Sequence, residues 1–394
     1  MQAVILAGGR GTRLGGLTAG RPKPLIAVGG KPFIVCLIEN LRRFGISSIV
    51  LLAGPFADEY HATLGDGSGL GVTLSLVPEP TPADTAGALG YAAMHLAERF
   101  FVLNGDSFFD FNVLDLTVQT ASTPWLISIA LRRVTDVQRY GSVTLKGKIV
   151  AAFDEKTTTG PGTINAGVYW MRRQVLNEIG PLPASLERSV LPRLASRQLV
   201  RGTVYDGHFI DIGTPEDLAQ AQDLMPAWER RPAAFLDRDA VLNLDDGYVG
   251  REGDSAWLRG AQNAVKMLND NGYFVIVVAD QSAVAEGSYT RKDIDRSLGW
   301  MNKELRQIGA HIDAFYCYPS HPRAGNESGR QIRECNKPTH DILLQAMRDR
   351  PIDQTRSFMV ANNEIDVAAA QRAGIRSISI HGDVLSKVLA GLRI

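Results

Sequence analysis

A short apolar strand that runs straight into glycine, Val4-Ile-Leu-Ala-Gly-Gly-Arg-Gly-Thr-Arg-Leu14, does most to limit what this chain can become. Such a segment predicts the first strand of an α/β unit and the turn that leaves it. A glycine-rich turn exposes backbone N–H groups and lets a polyanion approach the main chain closely. Arg10 and Arg13, with Lys23 in Arg21-Pro-Lys-Pro-Leu25, can then neutralise phosphates. The turn is not a P-loop, which needs Gly-x-x-x-x-Gly-Lys-Ser/Thr. Nor is it the dinucleotide fingerprint, which needs glycine where Leu14 stands. The bland alternative is an ordinary strand–helix loop with solvated basic residues.

The rest of residues 1–225 alternates strand and helix. Strands are expected over Gln2–Leu6, Ser48–Ala53, Val72–Val77 and Phe100–Leu103. Helices are expected over Pro32–Arg43, where Phe33, Ile34, Leu37, Ile38 and Leu41 recur at helical spacing, and over Thr85–Glu98. This order predicts a mainly parallel sheet with ligands at the strand C-termini. Closer strands near 126–133, 142–153 and 164–170 add an antiparallel segment, so the sheet should be mixed. Pro226-Ala-Trp-Glu-Arg-Arg-Pro232 reads as a linker. A second α/β unit, 233–394, then opens on a fresh strand at Ala233. Its helices are expected near 256–271, 290–308 and 339–349, and its further strands at Tyr273–Ala279, Ile312–Cys317, Phe358–Ala361 and Ser377–Ile380. Two domains suit 394 residues.

Lys plus Arg equals Asp plus Glu at 42 each, which argues against nucleic acid as a partner. No apolar run approaches the ~20 residues of a membrane span. No basic, cleavable leader precedes the first strand, so a cytoplasmic location is expected. Cys36, Cys317 and Cys335 are too few for a disulfide framework. A homo-oligomer stays open.

Gly8 to Leu14 together with Pro22-Lys-Pro24 resemble the signature of sugar-1-phosphate nucleotidyltransferases, Leu-Ala-Gly-Gly-x-Gly-Thr-Arg-Leu followed by Pro-Lys-Pro. Over residues 1–225 this resemblance implies a Rossmann-like, glycosyltransferase-A-like mixed sheet. The implied reaction joins a sugar 1-phosphate to the α-phosphorus of a nucleoside triphosphate and releases pyrophosphate. Leu6, Ala7, Gly8, Gly9, Gly11 and Thr12 would hold the nucleotide. Arg13 would grip the triphosphate and steady the departing pyrophosphate, and Lys23 would hold the α-phosphate region. Asp106, at a strand end in Val102-Leu-Asn-Gly-Asp-Ser107, is well placed for Mg²⁺. Asp211 in Phe209-Ile-Asp-Ile-Gly-Thr-Pro215 matches the family's second Mg²⁺ ligand, with Thr214 capping the next helix and Pro215 at its first position.

The acceptor side of the resemblance assigns the sugar phosphate to Lys156 and sugar hydroxyls to Glu155. Asn165 and Gly167 in Asn-Ala-Gly-Val-Tyr169 and the pair Tyr140-Gly141 add contacts there. Near the base, Glu79, Thr85 and Gly87 belong to Glu79-Pro-Thr-Pro-Ala-Asp-Thr-Ala-Gly-Ala88. Asp84 stands where the family has glycine; it could accept from guanine, but a helix cap is the preferred reading. Details such as Arg139-Tyr-Gly-Ser142 look most like D-glycero-D-manno-heptose 1-phosphate guanylyltransferases. Mannose 1-phosphate guanylyltransferases and N-acetylmuramate 1-phosphate uridylyltransferases are the near alternatives.

Phe235-Leu-Asp237-Arg-Asp239-Ala-Val-Leu-Asn243 resembles the first motif of haloacid-dehalogenase-type phosphatases, nearest the heptose 1,7-bisphosphate subgroup. That implies a Rossmannoid fold, with Asp237 as nucleophile and Asp239 as general acid/base. Lys337 matches the third motif, and Asn362 and Asp366 fall on the fourth. Asn362 stands where a Mg²⁺ carboxylate is expected, and an amide oxygen is a poorer ligand for a hard cation. Asp280 and Glu286 bring negative charge where the subgroup binds phosphate and substrate. Cys317, His321 and Cys335 are three remnants of a four-ligand zinc clip and are read as unmetallated. The expectation is a nucleotidyltransferase with an inactive phosphatase-like domain. A bifunctional phosphatase–nucleotidyltransferase and a non-catalytic nucleotide-sugar sensor are the alternatives.

Overall fold

The computed structural model describes residues 1–9, 11, 14, 20–118, 124–154, 159–238, 241–242, 257–279, 291–317, 340–380 and 385–391. They form two compact units, Met1–Trp228 and Glu229–Ile394.

The first unit is built on nine strands: β1 (Gln2–Leu6), β2 (Ser48–Gly54), β3 (Thr73–Pro78), β4 (Arg99–Asn104), β5 (Ile127–Val134), β6 (Ser142–Lys146), β7 (Ile149–Asp154), β8 (Gly162–Arg172) and β9 (Val200–Tyr205). They lie in the order β3-β2-β1-β4-β8-β5-β9-β7-β6. β3, β2, β1 and β4 run parallel. β8 then reverses against both β4 and β5, which gives the mixed sheet. β9, absent from the sequence expectation, slots in parallel to β5. Alternate side chains of β1 serve opposite faces, as a pleated strand requires. Ala3 and Ile5 join the core beneath α1 (Phe33–Arg43) and α2 (Ala57–Leu64), whereas Val4 joins the core beneath α3 (Asp84–Tyr91) and α4 (Leu191–Ser196). α1 buries Phe33, Ile34, Leu37, Ile38 and Leu41, the apolar stripe read from its spacing.

Two expected boundaries move. The helix expected over Thr85–Glu98 stops at Tyr91 and is followed by a single 3-10 turn, Ala93–His95. Beyond Tyr91 the apolar residues no longer share one buried face: Ala92 and Leu96 are in the core, whereas Met94 is 90% exposed. The stretch 226–232, expected as a linker, begins as helix, because α5 (Pro215–Glu229) runs through Pro226. Having no N–H, Pro226 leaves the Gln222 carbonyl without its helical bond, a local cost. Its ring packs on the turn at Gly29, where an added Cβ would lie 2.7 Å from Pro226 Cγ.

A separate two-stranded ribbon pairs Ser107–Phe109 antiparallel with Phe209–Asp211. Aromatic contacts hold it: Phe109 against Phe209 at 5.7 Å and Phe108 against Trp228 of α5 at 6.4 Å.

The second unit is an all-parallel five-stranded sheet of β10 (Ala233–Asp237), β11 (Phe274–Ala279), β12 (Ala314–Cys317), β13 (Phe358–Ala361) and β14 (Arg376–Ser379). Its order is β12-β11-β10-β13-β14. α6 (Ala261–Asp270), α7 (Arg291–Gln307) and α10 (Leu385–Gly391) contribute to one core, and α8 (Asp341–Asp349) and α9 (Glu364–Arg372) to the other. Crossover helices on both faces are what parallel strands require.

Candidate active site

The parallel strands of the first unit deliver an acidic pair at their C-terminal ends. β4 ends at Asn104, and the Gly105 N–H donates to the Leu6 carbonyl at 2.9 Å. A Cβ on Gly105 would lie 2.6 Å from that oxygen, so only glycine brings Asp106 this close to the end of β1. Asp211 arrives on the ribbon, directly opposite Ser107. The Ser107 hydroxyl stands 2.9 Å from Asp211 Oδ2 and 3.3 Å from Asp106 Oδ1, shared between the two.

Lys23, buried in a 3-10 turn between two prolines, points into this pair. Its Nζ donates to Asp106 Oδ2 at 2.7 Å and lies 4.0 Å from Asp211 Oδ1. Burial and the neighbouring Asp106 push the Asp211 carboxyl above the usual carboxylate range, against the pull of Lys23 and Ser107. Behind Asp211, Thr214 and Asp217 form a helix cap: the Asp217 N–H donates to Thr214 Oγ1 at 3.3 Å and the hydroxyl returns to Asp217 Oδ2 at 2.8 Å. Arg139 grips the Asp217 carboxylate through both terminal nitrogens, at 3.1 and 2.5 Å. This fixes the Tyr140 segment to α5, the helix that follows the strand carrying Asp211, and Tyr140 lies edge-on to Phe209 of that strand at 6.0 Å.

A cavity of about 400 Å³ opens beside the pair, lined by Leu6, Ala7, Gly8, Gly9 and Gly11, and by Lys23, Glu79, Thr85, Asn104 and Asp106. Gly8 sits against Glu79: a Cβ there would lie 2.8 Å from Glu79 Oε1. Burial, then the charge of Asp84, raises the Glu79 carboxyl, while the Ala83 N–H opposes the shift. Asp84 is not the expected helix cap: it is the first residue of α3, at a positive φ of 62°, and its carboxylate accepts from the Thr85 N–H at 2.7 Å and from Arg188 at 2.6 Å.

Neither Asn165 nor Gly167 lines this cavity, and Gly167 packs against Asn104. β8 slips register against β5 between Asn165 and Tyr169, and the Asn165 side chain accepts from the Gly167 N–H at 2.9 Å. Gly167, at φ 72°, leaves room for the Asn104 amide, 2.6 Å from where a Cβ would be. Gly141 has a positive φ of 77°. Gly87 does not line the cavity; it is packed against Ala83 and Leu182. Thr12, Arg13, Glu155 and Lys156, with Arg10, lie outside the described residues.

Sequence reasoning missed Asn104 and Glu187, both on the cavity wall. Glu187 accepts from Thr85 Oγ1 at 2.8 Å and from the Tyr169 hydroxyl at 3.5 Å. The Thr85 contact crosses 102 residues, so no local pattern announces it. For Asn104, its place one residue before Gly105-Asp106 was the available signal.

In the second unit, Asp237 ends β10, Asn362 follows β13, and Asp366 lies in the first turn of α9. Asp237 and Asp366 are 9% and 3% exposed. Asn363, not singled out from the sequence, connects them. Its Nδ2 lies 2.7 Å from Asp366 Oδ2, 3.1 Å from Asn362 Oδ1 and 3.5 Å from Asp237 Oδ2. Cys317 is the last residue of β12. Asp239, Asp280, Glu286, His321, Cys335 and Lys337 lie outside the described residues.

The chain is similar to the D-glycero-beta-D-manno-heptose-1,7-bisphosphate 7-phosphatase of Rhodopseudomonas palustris, 38% identical over 154 residues, which are 39% of this chain and 86% of that protein. It is also similar to the D-glycero-alpha-D-manno-heptose 1-phosphate guanylyltransferase of Campylobacter jejuni, 32% identical over 218 residues, 55% of this chain and 96% of that protein. The crystal structure of HddC from Yersinia pseudotuberculosis complexed with GMP-PN superimposes with a TM-score of 0.51 at 30% identity, covering 57% of this chain and 99% of that one. The family model for nucleotidyl transferases matches residues 2–227, which include β1, its glycine turn, Lys23, Asp106 and Asp211. The chain belongs to the nucleotidyl transferase family.

Proposed function

We propose that the first unit transfers GMP from GTP to D-glycero-D-manno-heptose 1-phosphate and releases pyrophosphate, and that the second unit is a phosphatase relative without hydrolytic activity. The observation that carries the transfer is Lys23, its ammonium 2.7 and 4.0 Å from two carboxylates at the edge of a glycine-lined cavity. The reactants are both anionic, so the site must supply cations and alignment.

Mg²⁺ suits the donor set. Among the described residues no cluster of three or more metal-binding side chains occurs. Mg²⁺, however, commonly takes only one or two carboxylates and completes its shell with substrate phosphates and water. Asp106 and Asp211 would hold it, and the raised Asp211 carboxyl marks a place where added positive charge is favourable. Bound there, the ion would neutralise phosphate charge as a Lewis acid. Lys23 then turns its ammonium to the α-phosphate region, and Arg13 supports the pyrophosphate. The Gly8–Gly11 turn holds phosphates on backbone N–H groups. Tyr140, Gly141, Glu155, Lys156, Asn165 and Gly167 serve the acceptor sugar phosphate.

Glu79 supports guanine. A carboxylate accepts two hydrogen bonds side by side, and guanine presents N1–H and N2–H₂ as adjacent donors. Uracil and thymine present one N–H between two carbonyl oxygens, which a carboxylate repels. The Campylobacter relative supports the heptose, and the GMP-PN in the Yersinia structure supports guanine. The two curated relatives differ in anomer: the phosphatase is named for the β form and the guanylyltransferase for the α form. The anomers are locked once the C1 oxygen carries phosphate. Two activities copied from these relatives would therefore not run in sequence, which favours one working site over two.

The test is pyrophosphate release with Mg²⁺ and each of five nucleoside triphosphates. Acceptors are the α and β heptose 1-phosphates, mannose 1-phosphate and N-acetylmuramate 1-phosphate. Turnover confined to GTP and α-heptose 1-phosphate supports the proposal. Turnover with another pair moves the substrate assignment, and none with any pair sinks it in favour of a sensor.

A further inference from the structure

We infer that the phosphatase-like centre of the second unit is closed to divalent cations because the side-chain amide of Asn363 stands where the cation would be. The inference rests on the reading of this unit as an inactive phosphatase relative, and supplies its physical cause.

Three side-chain oxygens converge at the ends of β10 and β13: Asp237 Oδ2, Asn362 Oδ1 and Asp366 Oδ2. All lie within 3.5 Å of one nitrogen, Asn363 Nδ2. An amide nitrogen carries two hydrogens and offers no lone pair, so it is a donor only and cannot be a metal ligand. A Mg²⁺ ion needs these oxygens at about 2.0–2.1 Å from its own centre. An ion at that distance from all three would lie against this nitrogen, which is 2.7 Å from Asp366 Oδ2 and 3.1 Å from Asn362 Oδ1.

The orientation of the amide is fixed by its other end. Asn363 is the N-cap of α9, and its Oδ1 accepts the Asp366 backbone N–H at 2.9 Å. Flipping the amide would set NH₂ against that N–H and a carbonyl oxygen against two carboxylates. The cap therefore locks the NH₂ toward the acidic cluster. Swinging it aside to admit a cation would break the cap and strip the donor from carboxylates only 9% and 3% exposed. Asn362 completes the exclusion: a neutral amide oxygen, already engaged by the same NH₂, stands where a carboxylate would strengthen a cation site.

The experiment measures Mn²⁺ uptake by the full chain, followed as loss of the free-ion electron paramagnetic resonance signal. Asp237→Asn in the otherwise unaltered chain is expected to leave uptake unchanged; a drop overturns the inference. The double variant Asp106→Asn, Asp211→Asn is expected to lose stoichiometric uptake altogether. Uptake that persists there and disappears on adding Asp237→Asn also overturns it. On that double background, Asn362→Asp with Asn363→Gly should create uptake that Asp237→Asn removes. Glycine is chosen because it keeps most of a helix cap's stability. If the rebuilt chain is folded by circular dichroism yet takes up no Mn²⁺, the amide is not the cause. Phosphate release from heptose 1,7-bisphosphate is assayed separately. Hydrolysis without Asp237-dependent uptake would end the reading of this unit as inactive and leave the metal inference standing.

Discussion

The two units face the same electrostatic problem and solve it in opposite ways. Each gathers two carboxylates at the C-terminal edge of a sheet, Asp106 with Asp211 and Asp237 with Asp366. In the first unit the counter-group is the ammonium of Lys23, 2.7 Å from Asp106. It sits on a four-carbon stem, so it can swing to a phosphate when another cation arrives. In the second, among the described residues, the short Asn363 amide faces both carboxylates, held at one end by the helix it caps. A flexible full charge keeps a site exchangeable; a tethered partial charge seals it. Carboxylate pairs alone therefore say little about catalysis, and the group facing them says more.

The comparison breaks most readily at Asp106. Asp106→Asn should lower kcat/KM for nucleotidyl transfer by about 10³-fold, since a metal-held phosphate charge is worth several kcal/mol. Asp237→Asn should leave transfer unchanged. Equal losses from both would show that the second unit takes part in transfer. Next in size is Lys23→Met, which removes the exchangeable cation and should cost about 10²–10³-fold in kcat. A loss confined to KM would make Lys23 a binding group only. Glu79→Gln should reduce the preference for GTP over UTP by about 10–100-fold, because one of two carboxylate-accepted bonds is replaced by a donor. An unchanged preference would remove Glu79 from base recognition.

A smaller effect is expected on stability. Asp211 is raised in the folded state by burial and by Asp106, so the unfolded chain releases this proton first as pH rises. Stability from this group is complete below the unfolded carboxyl's pKa and is lost as pH climbs toward the folded value. Asp211→Asn should therefore raise the melting midpoint of the metal-free chain by about 2–4 °C at neutral pH, with no gain in acid. A gain that is the same at both pH values would show that charge is not its source.

Much of the first site was legible because it is local. Lys23 lies within Pro-Lys-Pro and Asp106 within a strand-end Asn-Gly-Asp, both contiguous in sequence. The alternation of strand and helix likewise carried the layer order of both units. What escaped reading depends on distant partners. β9 becomes a strand only between β5 and β7. Glu187 meets Thr85 across 102 residues. Asn363 was passed over beside Asn362, because which amide faces the carboxylates is decided by the cap and not by the motif. The linker was over-read for a similar reason: Pro226 signals a break locally, and its packing on Gly29 is tertiary.

The ribbon that pairs Ser107 with Asp211 also limits how such a chain can vary over time. Strand side chains alternate faces, so a one-residue slip would turn Asp211 away from Asp106 and Lys23 altogether. Substitutions along Phe209–Asp211 can be absorbed by repacking, but a gain or loss of a single residue cannot. Among descendants of this sequence, length changes should collect in the loops and spare this ribbon, which works as the molecule's ruler.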